Sequence, residues 1–160
     1  MNLQSLSENY HVRRLEGNDV DLIYNLCLGN SIFYEYHPPL VTKESILADM
    51  AALPPGKNYD DKLYIGFFKE QKLIAVMDLI LHYPEEKIAF IGFFMTDSSI
   101  QNKGIGSKII CETANCLKNW DFDEIRLGVD KGNPQSFAFW TKNGFSIQNE
   151  AHYILMAKKL

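Results

Sequence analysis

Three strand-like segments in the middle of the chain constrain its fold more than any other feature. They run from Lys62 to Phe68, from Leu73 to Tyr83 and from Ile88 to Met95, separated by Glu70-Gln71 and by Pro84-Glu85-Glu86. Turns this short join neighbouring antiparallel strands. The last two segments are apolar on both faces, which is typical of central strands covered by helices above and below. We therefore expect an antiparallel meander at the centre of a sheet.

Four helices are predicted by apolar residues at helical spacing, and residues typical of helix caps mark their ends. They are expected between Asn18 or Asp19 and Gly29, from Thr42 to Pro54, from Gly104 to Trp120, and from Asn133 to Gly144. The aromatic and proline-rich segment Phe33–Pro39 is expected to be a loop instead.

The remaining strands are expected at residues 11–15, 125–129, 145–147 and 152–157. The resulting element order predicts an α/β (α+β) fold, with a mixed, mostly antiparallel sheet of about seven strands and helices on both faces. A length of 160 residues fits a single domain, 1–160.

Charge and composition exclude several classes of partner. A net charge of −4 argues against a general binder of the phosphate backbone, so no nucleic acid is expected. The chain has no basic leader and no run of the roughly 18–20 apolar residues that a membrane span needs. We expect a cytoplasmic protein without a membrane partner, either a monomer or a homodimer.

Metal-binding patterns are absent from the local sequence. Cys27, Cys111 and Cys116 have no paired C-x-x-C spacing, and the four histidines form no H-x-x-H group. We expect no metal site, and we expect the three cysteines to be reduced core residues.

The segment that indicates a ligand is Gln101-Asn102-Lys103-Gly104-Ile105-Gly106-Ser107, between an apolar strand and an amphipathic helix. Glycines at the start of a helix leave several backbone N–H groups free next to the positive end of the helix dipole. Such a place binds phosphate or pyrophosphate, and a side chain at either glycine would hold that ligand away.

Two other phosphate-binding motifs fail on spacing. A dinucleotide fingerprint needs a third glycine where this chain has Ile109. A P-loop needs G-x-x-x-x-G-K-[ST], which Gly106-Ser107-Lys108 does not satisfy.

The loop resembles the pyrophosphate loop of the GCN5-related N-acetyltransferase (GNAT) family, Q/R-x-x-G-x-G/A. A second segment, Asn133 to Phe145, is similar to the family's N-x-x-[SA]-x-x-[FL]-Y-x-K-x-G-F motif. The resemblance covers roughly residues 62–157. It implies acetyl-CoA as co-substrate and no other cofactor.

The same resemblance implies which residues contact the cofactor. The strand before the loop would diverge from its neighbour, so that its backbone pairs with the pantetheine arm, and Asn133 would hydrogen-bond that arm. The implied cofactor-binding residues are Phe94, Met95, Thr96, Gln101, Asn102, Lys103, Gly104, Ile105, Gly106, Ser107, Asn133, Ser136 and Trp140. Trp140 stands where the family often has a tyrosine acid, and an indole N–H cannot replace that acid.

Asp78 is the candidate base that accepts the proton of the attacking amine. Period-two alternation predicts that it shares a face with Ile74, Val76, Ile80 and His82, where burial would raise its pKa. The alternative is a buried structural carboxylate satisfied by backbone groups or by Arg13, Arg14 or Arg126.

Candidate acceptor-binding residues are Tyr34, Glu35, Tyr36 and His82, with His37 beside them; the aromatic segment could equally be a hydrophobic plug over the core. The sequence thus predicts an N-acetyltransferase in which the primary amine of a small molecule or peptide attacks acetyl-CoA directly. The alternative is a non-catalytic acyl-CoA sensor or protein-interaction module.

Overall fold

A computed structural model describes all residues from 1 to 160, which form one sheet with helices on both faces. The seven strands are β1 His11–Arg14, β2 Lys62–Lys69, β3 Lys72–Ile80, β4 Ile88–Thr96, β5 Glu124–Val129, β6 Ser146–Glu150 and β7 Ile154–Lys159. The five α-helices are α1 Val20–Leu28, α2 Ser31–Tyr36, α3 Lys43–Ala51, α4 Ile105–Asn119 and α5 Pro134–Lys142. None of these helices is long and apolar enough to cross a bilayer.

The strand order is β1-β2-β3-β4-β5-β7-β6. Every neighbouring pair is antiparallel except β4 and β5, which run parallel and are joined by a crossover through α4. The predicted meander of β2, β3 and β4 and the predicted mixed sheet are therefore confirmed.

Two apolar clusters cover the two faces of the sheet. The larger cluster packs α4 and α5 against one face, with Leu117 and Trp140 among its buried residues. The smaller cluster packs α1 and α3 against the other face through Ile23, Leu26 and Ile46. Because β2 and β3 contribute to both clusters, their side chains are apolar on both sides, as expected for central strands.

β-Bulges in β3 and β4 change which side chains share a face. In β4 the extra residue is Gly92, because Asp78 pairs with Phe93 and Leu79 pairs with Ile91. Ile74 is an extra residue of β3, because Phe67 pairs with Ala75 and Phe68 pairs with Leu73. A bulge moves every following residue to the opposite face relative to strict alternation. The predicted common face of Asp78 and Ile74 is therefore wrong, since Ile74 lies in the larger cluster and Val76, on the face of Asp78, lies in the smaller one.

His82 also lies outside the predicted strand. β3 ends at Ile80, and His82 follows in a turn with φ of +55°. Its ring packs 4.8 Å from the ring of Phe122, which belongs to the larger cluster. His82 therefore does not continue the face of Asp78.

The predicted loop Phe33–Pro39 is a helix over most of its length. α2 occupies Ser31–Tyr36, and only His37 and the two prolines lie beyond it. Proline disfavours helical backbone at the residue before it, so the prolines end the helix at its C-terminal side and leave the preceding turns intact. The ring of Phe33 packs edge-on against that of Phe93, which fixes α2 to β4.

We predict that Leu117→Ala will destabilise the protein strongly, because Leu117 of α4 is fully buried against the sheet. Loss of a buried leucine side chain costs about 2–5 kcal/mol of unfolding free energy. Leu22→Ala, on the exposed side of α1, is the control and should change that free energy by less than about 1 kcal/mol. Urea unfolding of the two variants measures the difference, and similar midpoints would contradict the assignment of the core.

Candidate active site

The site begins where β4 and β5 stop pairing. Residues Ile88–Ile91 pair with Glu124–Leu127, and beyond this point β4 continues to Thr96 with β3 as its only partner. The β4 edge that faces β5 therefore carries backbone groups without strand partners. The divergence expected from the family resemblance is present in the structure.

The start of α4 lies at the end of this gap and presents free backbone N–H groups. The first helical hydrogen bond runs from the Lys108 N–H to the Gly104 carbonyl at 3.0 Å. The N–H groups of Ile105, Gly106 and Ser107 consequently have no acceptor within the helix. Together with the helix dipole they form a site suited to an anion.

The structure explains why positions 104 and 106 of the loop are both glycine. Gly104 caps α4 with φ of +77°, a conformation that favours glycine, and no atom lies within 4 Å of where its Cβ would be. At Gly106 a Cβ would lie 3.3 Å from the Phe139 ring and 3.4 Å from the Thr96 methyl group. The backbone is thus open to a ligand at Gly104 and closely packed behind Gly106.

Gln101 holds the loop to the rest of the site. Its side-chain amide donates to Asn30 Oδ1 at 2.6 Å and to the Thr96 carbonyl at 3.3 Å. The Asn30 amide donates to the same carbonyl at 3.1 Å. These contacts tie the end of β4 to the corner between α1 and α2, so Gln101 positions the loop through its side chain.

α5 forms the opposite wall of the gap. Asn133 caps this helix by accepting from the Ser136 N–H at 3.0 Å, and its own side-chain amide makes no hydrogen bond within the chain. Trp140 is buried in an aromatic cluster, 5.9 Å from the Phe94 ring and 5.1 Å from the Phe145 ring. Trp140 therefore supports the wall by packing.

These elements enclose a cavity of about 460 Å³, which we call the splay cavity. Of the thirteen residues that the family resemblance assigned to cofactor binding, all except Lys103 line it. The Lys103 ammonium instead donates to the Ser99 carbonyl at 2.8 Å. Asn30 and Phe33 also line the cavity, and the sequence had no signal for them because they come from the distant α1–α2 corner.

A second cavity of about 450 Å³ lies on the side of the sheet that carries α3; we call it the Arg126 cavity. Its apolar wall comes from the end of α3 and from β3, β4 and β7. Its polar lining consists of Lys62, Asp78, Tyr83, Arg126 and Tyr153. It reaches β4 at Gly92, two residues before Phe94 of the splay cavity, a separation on the order of 7 Å.

Asp78 is held in this cavity by Lys62 rather than by an arginine. Asp78 Oδ2 accepts from Lys62 Nζ at 2.9 Å, and the two side chains are 13% and 3% exposed. The Asp78 Oδ1 atom is shielded from solvent and makes no hydrogen bond. The predicted pairing of Asp78 with Arg13, Arg14 or Arg126 is therefore wrong. Arg13 pairs instead with Asp19, and Arg14 donates to the Lys62 carbonyl.

Burial raises the pKa of the Asp78 carboxyl above its ordinary value of 3.8, and the hydrogen bond and charge of Lys62 offset only part of that rise. A Cβ on Gly92 would lie 3.0 Å from Asp78 Oδ2. The glycine at position 92, in the bulge of β4, therefore leaves space for the Asp78 carboxylate.

Arg126 lies on β5 and is anchored at one nitrogen. Its Nε donates to Glu124, whose second carboxylate oxygen pairs with Lys159. Neither terminal nitrogen of Arg126 makes a hydrogen bond, and the nearest other carboxylate, that of Glu85, is 3.7 Å from Nη1. The sequence had suggested Arg126 only as a partner for Asp78.

The predicted acceptor residues lie outside both cavities. Tyr34, Glu35 and Tyr36 are on α2, and His82 is in the turn after β3. Burial, with a smaller effect from the Cys27 thiol, raises the pKa of the half-buried Tyr34 hydroxyl well above its usual range. His37, just after α2, contacts Asp130 at 2.9 Å and so links α2 to the segment between β5 and α5.

Metal-binding groups do not assemble elsewhere in the fold. No three His, Cys, Asp or Glu side chains lie close enough together to hold an ion. The cysteines are free; Cys27 and Cys116 are buried, whereas Cys111 is exposed, contrary to the expectation that all three lie in the core.

With this geometry in place, comparison with known families is decisive. The family model described as the Acetyltransferase (GNAT) family matches residues 30–145. This chain belongs to that family, and the resemblance inferred from its two motifs is confirmed.

Relatives agree with this assignment. Spermidine N(1)-acetyltransferase of Thermoplasma acidophilum is 27% identical over 100 residues, and the match spans 62% of this chain and 60% of that protein. An acetyltransferase structure from Thermus thermophilus superposes with a TM-score of 0.81 at 20% identity, covering 95% of this chain and 97% of that one.

A second related structure contains a ligand. The PaiA N-acetyltransferase of Thermoplasma acidophilum, solved in complex with coenzyme A, superposes with a TM-score of 0.72 at 21% identity. The superposition covers 94% of this chain and 98% of that chain. These two structural similarities establish the fold.

The raised pKa of Asp78 predicts a specific pH dependence of stability. Because the folded-state pKa exceeds the unfolded value, the unfolded chain loses this proton first as the pH rises, so stability falls as pH rises through the window between the two values. The Asp78→Asn variant carries an amide at this position, which does not titrate in this pH range. The unfolding free energy of the wild type relative to Asp78→Asn should therefore be highest below about pH 4 and should decrease above it.

Urea unfolding of both proteins from about pH 3.5 to pH 7 measures this difference. A difference that increases with pH would mean that the Lys62 pairing outweighs burial and lowers the pKa of Asp78.

Proposed function

We propose that this chain is an acetyl-CoA-dependent N-acetyltransferase that acts on a primary amine of a small molecule or peptide. The observation that carries the proposal is the divergence of β4 from β5, which leaves an unpaired strand edge leading to three free N–H groups at the start of α4. Family membership and the coenzyme A complex of the PaiA relative support the choice of co-substrate.

The lining of the splay cavity fits coenzyme A. The N–H groups of Ile105, Gly106 and Ser107 would hold the pyrophosphate, and the backbone of Phe94–Thr96 with the free amide of Asn133 would hold the pantetheine arm. Bound there, acetyl-CoA supplies an activated thioester. The residues of the chain orient the arm and, through the aromatic cluster around Trp140, keep water from one of its sides.

The reaction we propose is direct transfer. The amine nitrogen bonds to the thioester carbonyl carbon, the carbon–sulfur bond breaks, and coenzyme A leaves as a thiolate. A simple thiol has a pKa of about 8.5, so this leaving group needs less help from an acid than an alkoxide would. The lack of a tyrosine at position 140 is therefore compatible with turnover.

The proton of the amine must pass to a base, and we propose Asp78 for this role. It lines the Arg126 cavity, and burial raises its pKa, which makes it a stronger proton acceptor than an ordinary carboxylate. We propose this cavity as the acceptor pocket, because it meets β4 next to the splay cavity and its volume suits a small molecule.

The competing function is an acyl-CoA sensor or protein-interaction module without turnover. The pairing of Asp78 with Lys62 and the aromatic packing of Trp140 are the observations that favour it. Release of free thiol from acetyl-CoA with a panel of amines, amino acids, polyamines and peptides separates the two functions. Acetyl-CoA binding without thiol release from any amine would favour the sensor.

Acetyl-CoA should raise the melting temperature of the wild type, because a ligand that binds only the folded state stabilises it by about 2.7 kcal/mol at a hundredfold excess over Kd. Gly106→Asp should abolish this shift, since its side chain would lie against the Phe139 ring and the Thr96 methyl group and would place a negative charge beside the free N–H groups. Gly106→Ala is the matched control and should bind more strongly than Gly106→Asp. An unchanged shift in folded Gly106→Asp would refute the pyrophosphate site.

Asp78→Asn should lower kcat by about 10²–10⁴-fold if Asp78 is the base, whereas Trp140→Phe should cost about tenfold through packing alone. Profiles of kcat against pH for the wild type and both variants distinguish the two effects. If folded Asp78→Asn retains both its rate and the acidic limb of the profile, Asp78 is structural and the proton leaves by another route.

A further inference from the structure

The charges of the Arg126 cavity point to the class of acceptor. Among its lining residues, Lys62 and Asp78 neutralise each other, and the other charged group is the guanidinium of Arg126, which is paired with Glu124 through Nε and has no hydrogen bond at Nη1 or Nη2. Lys62 has no further hydrogen bond to offer, because Asp78 Oδ2 and the Asp49 and Ala52 carbonyls already accept from its ammonium group. An anionic group of a ligand therefore finds free donors at Arg126 and not at Lys62.

The guanidinium of Arg126 is preorganised to bind an anion. Glu124 holds Nε, which fixes the plane of the group, while Nη1 and Nη2 make no hydrogen bond. A guanidinium with two free terminal nitrogens matches a carboxylate in a bidentate arrangement. Arg126 is 25% exposed, so this pairing would be partly shielded from water and stronger than one on the open surface.

The acidic groups around Arg126 leave its two terminal nitrogens without hydrogen bonds. Glu124 is shared with Lys159, so these three side chains together carry one net positive charge. Glu85 is 71% exposed and lies 3.7 Å from Nη1, beyond hydrogen-bonding distance, and it can turn into solvent at little cost. A polycationic acceptor would meet Arg126 with a like charge.

The remaining lining residues of the Arg126 cavity indicate the chemistry of the rest of the acceptor molecule. Leu53, Ile80, Phe90 and Leu155 form an apolar surface, and the Tyr153 ring lies over Gly128, where an added Cβ would be only 2.7 Å from it. Apolar and aromatic groups of a ligand bind such walls, while a few placed polar groups fix its orientation.

We infer that the acceptor is a small amine that carries a carboxylate and an apolar or aromatic body, as in a hydrophobic amino acid, with its carboxylate bound by Nη1 and Nη2 of Arg126. The inference rests on the proposed function and specifies its acceptor. Arg126 then selects the substrate, whereas the amine lies toward Asp78 and β4.

Matched acceptors test this inference. Phenylalanine, phenylalaninamide and phenethylamine share an aromatic body and an amine, but only the first has a carboxylate. We expect Arg126→Gln to lower kcat/KM for phenylalanine by about 10- to 100-fold, the range expected for losing a charged hydrogen-bonded pair, and to change the other two by less than about threefold. Spermidine should be a poor acceptor for the wild type.

Two further variants serve as controls. Lys159→Gln removes a positive charge from the same cluster, yet Lys159 is 83% exposed and does not line the cavity, so it should leave the preference for phenylalanine intact. Arg126→Lys keeps the charge without the bidentate geometry and should recover only part of the preference. An equal loss for all three acceptors in Arg126→Gln, or a wild-type preference for spermidine, would overturn the inference.

Measuring how tightly the acetylated products bind tests the carboxylate site without relying on turnover. Calorimetry in the presence of coenzyme A should show that N-acetylphenylalanine binds the wild type more tightly than N-acetylphenylalaninamide, and that Arg126→Gln removes the difference. If carboxylate and amide bind the wild type equally, the inference fails even where acetyl transfer is observed. If the carboxylate binds preferentially but no amine is acetylated, the proposed function fails and the anion site remains.

Discussion

The separation of β4 from β5 after the pairing of Ile91 with Leu127 is the constraint on which the site depends. Parallel strands that diverge leave backbone groups without partners, and buried backbone groups must find partners elsewhere. Beyond its bulge at Gly92, β4 stays extended because β3 pairs with it from Phe93 to Thr96. The unpaired edge of this part of β4 is therefore held extended and available, as the arm of a ligand requires.

The same strand also connects the two cavities. The bulge at Gly92 turns β4 locally, so that Gly92 lines the Arg126 cavity while Phe94 lines the splay cavity. Phe93, between them, packs against Phe33 of α2, and Asp78 is its strand partner. A ligand in either cavity would thus contact the same few residues of backbone, which is the arrangement that transfer of a group between two bound molecules needs.

Local sequence predicted the lining of the splay cavity because its determinants are local. Gly104 and Gly106 begin a helix, and Asn133 caps another, so each position acts through its own neighbours. The arrangement of the Arg126 cavity, which we propose as the acceptor pocket, depends instead on strand register. A hairpin turning at Glu70-Gln71 without interruption would place Asp78 opposite Leu63, whereas the bulge at Ile74 places it opposite Tyr64.

That one-residue shift puts Asp78 diagonal to Lys62 on the same face, and no periodicity in the sequence indicates it. The helix α2 was missed for a different reason. Its residues, Ser31–Tyr36, are aromatic and precede two prolines, and contact of Phe33 with Phe93 stabilises a helix that its own sequence favours weakly.

Lys62 shapes the Arg126 cavity and neutralises the carboxylate that lines it. Its ammonium donates to the carbonyls of Asp49 and Ala52 at the end of α3, where carbonyls lack helical partners, and to Asp78 of β3. One buried cation therefore fixes the end of α3 over the sheet and neutralises the carboxylate beneath it. Since Lys62 has no remaining donor, the charge that a ligand encounters is set by Arg126, and a change at Lys62 would disturb the cavity wall before it altered selectivity.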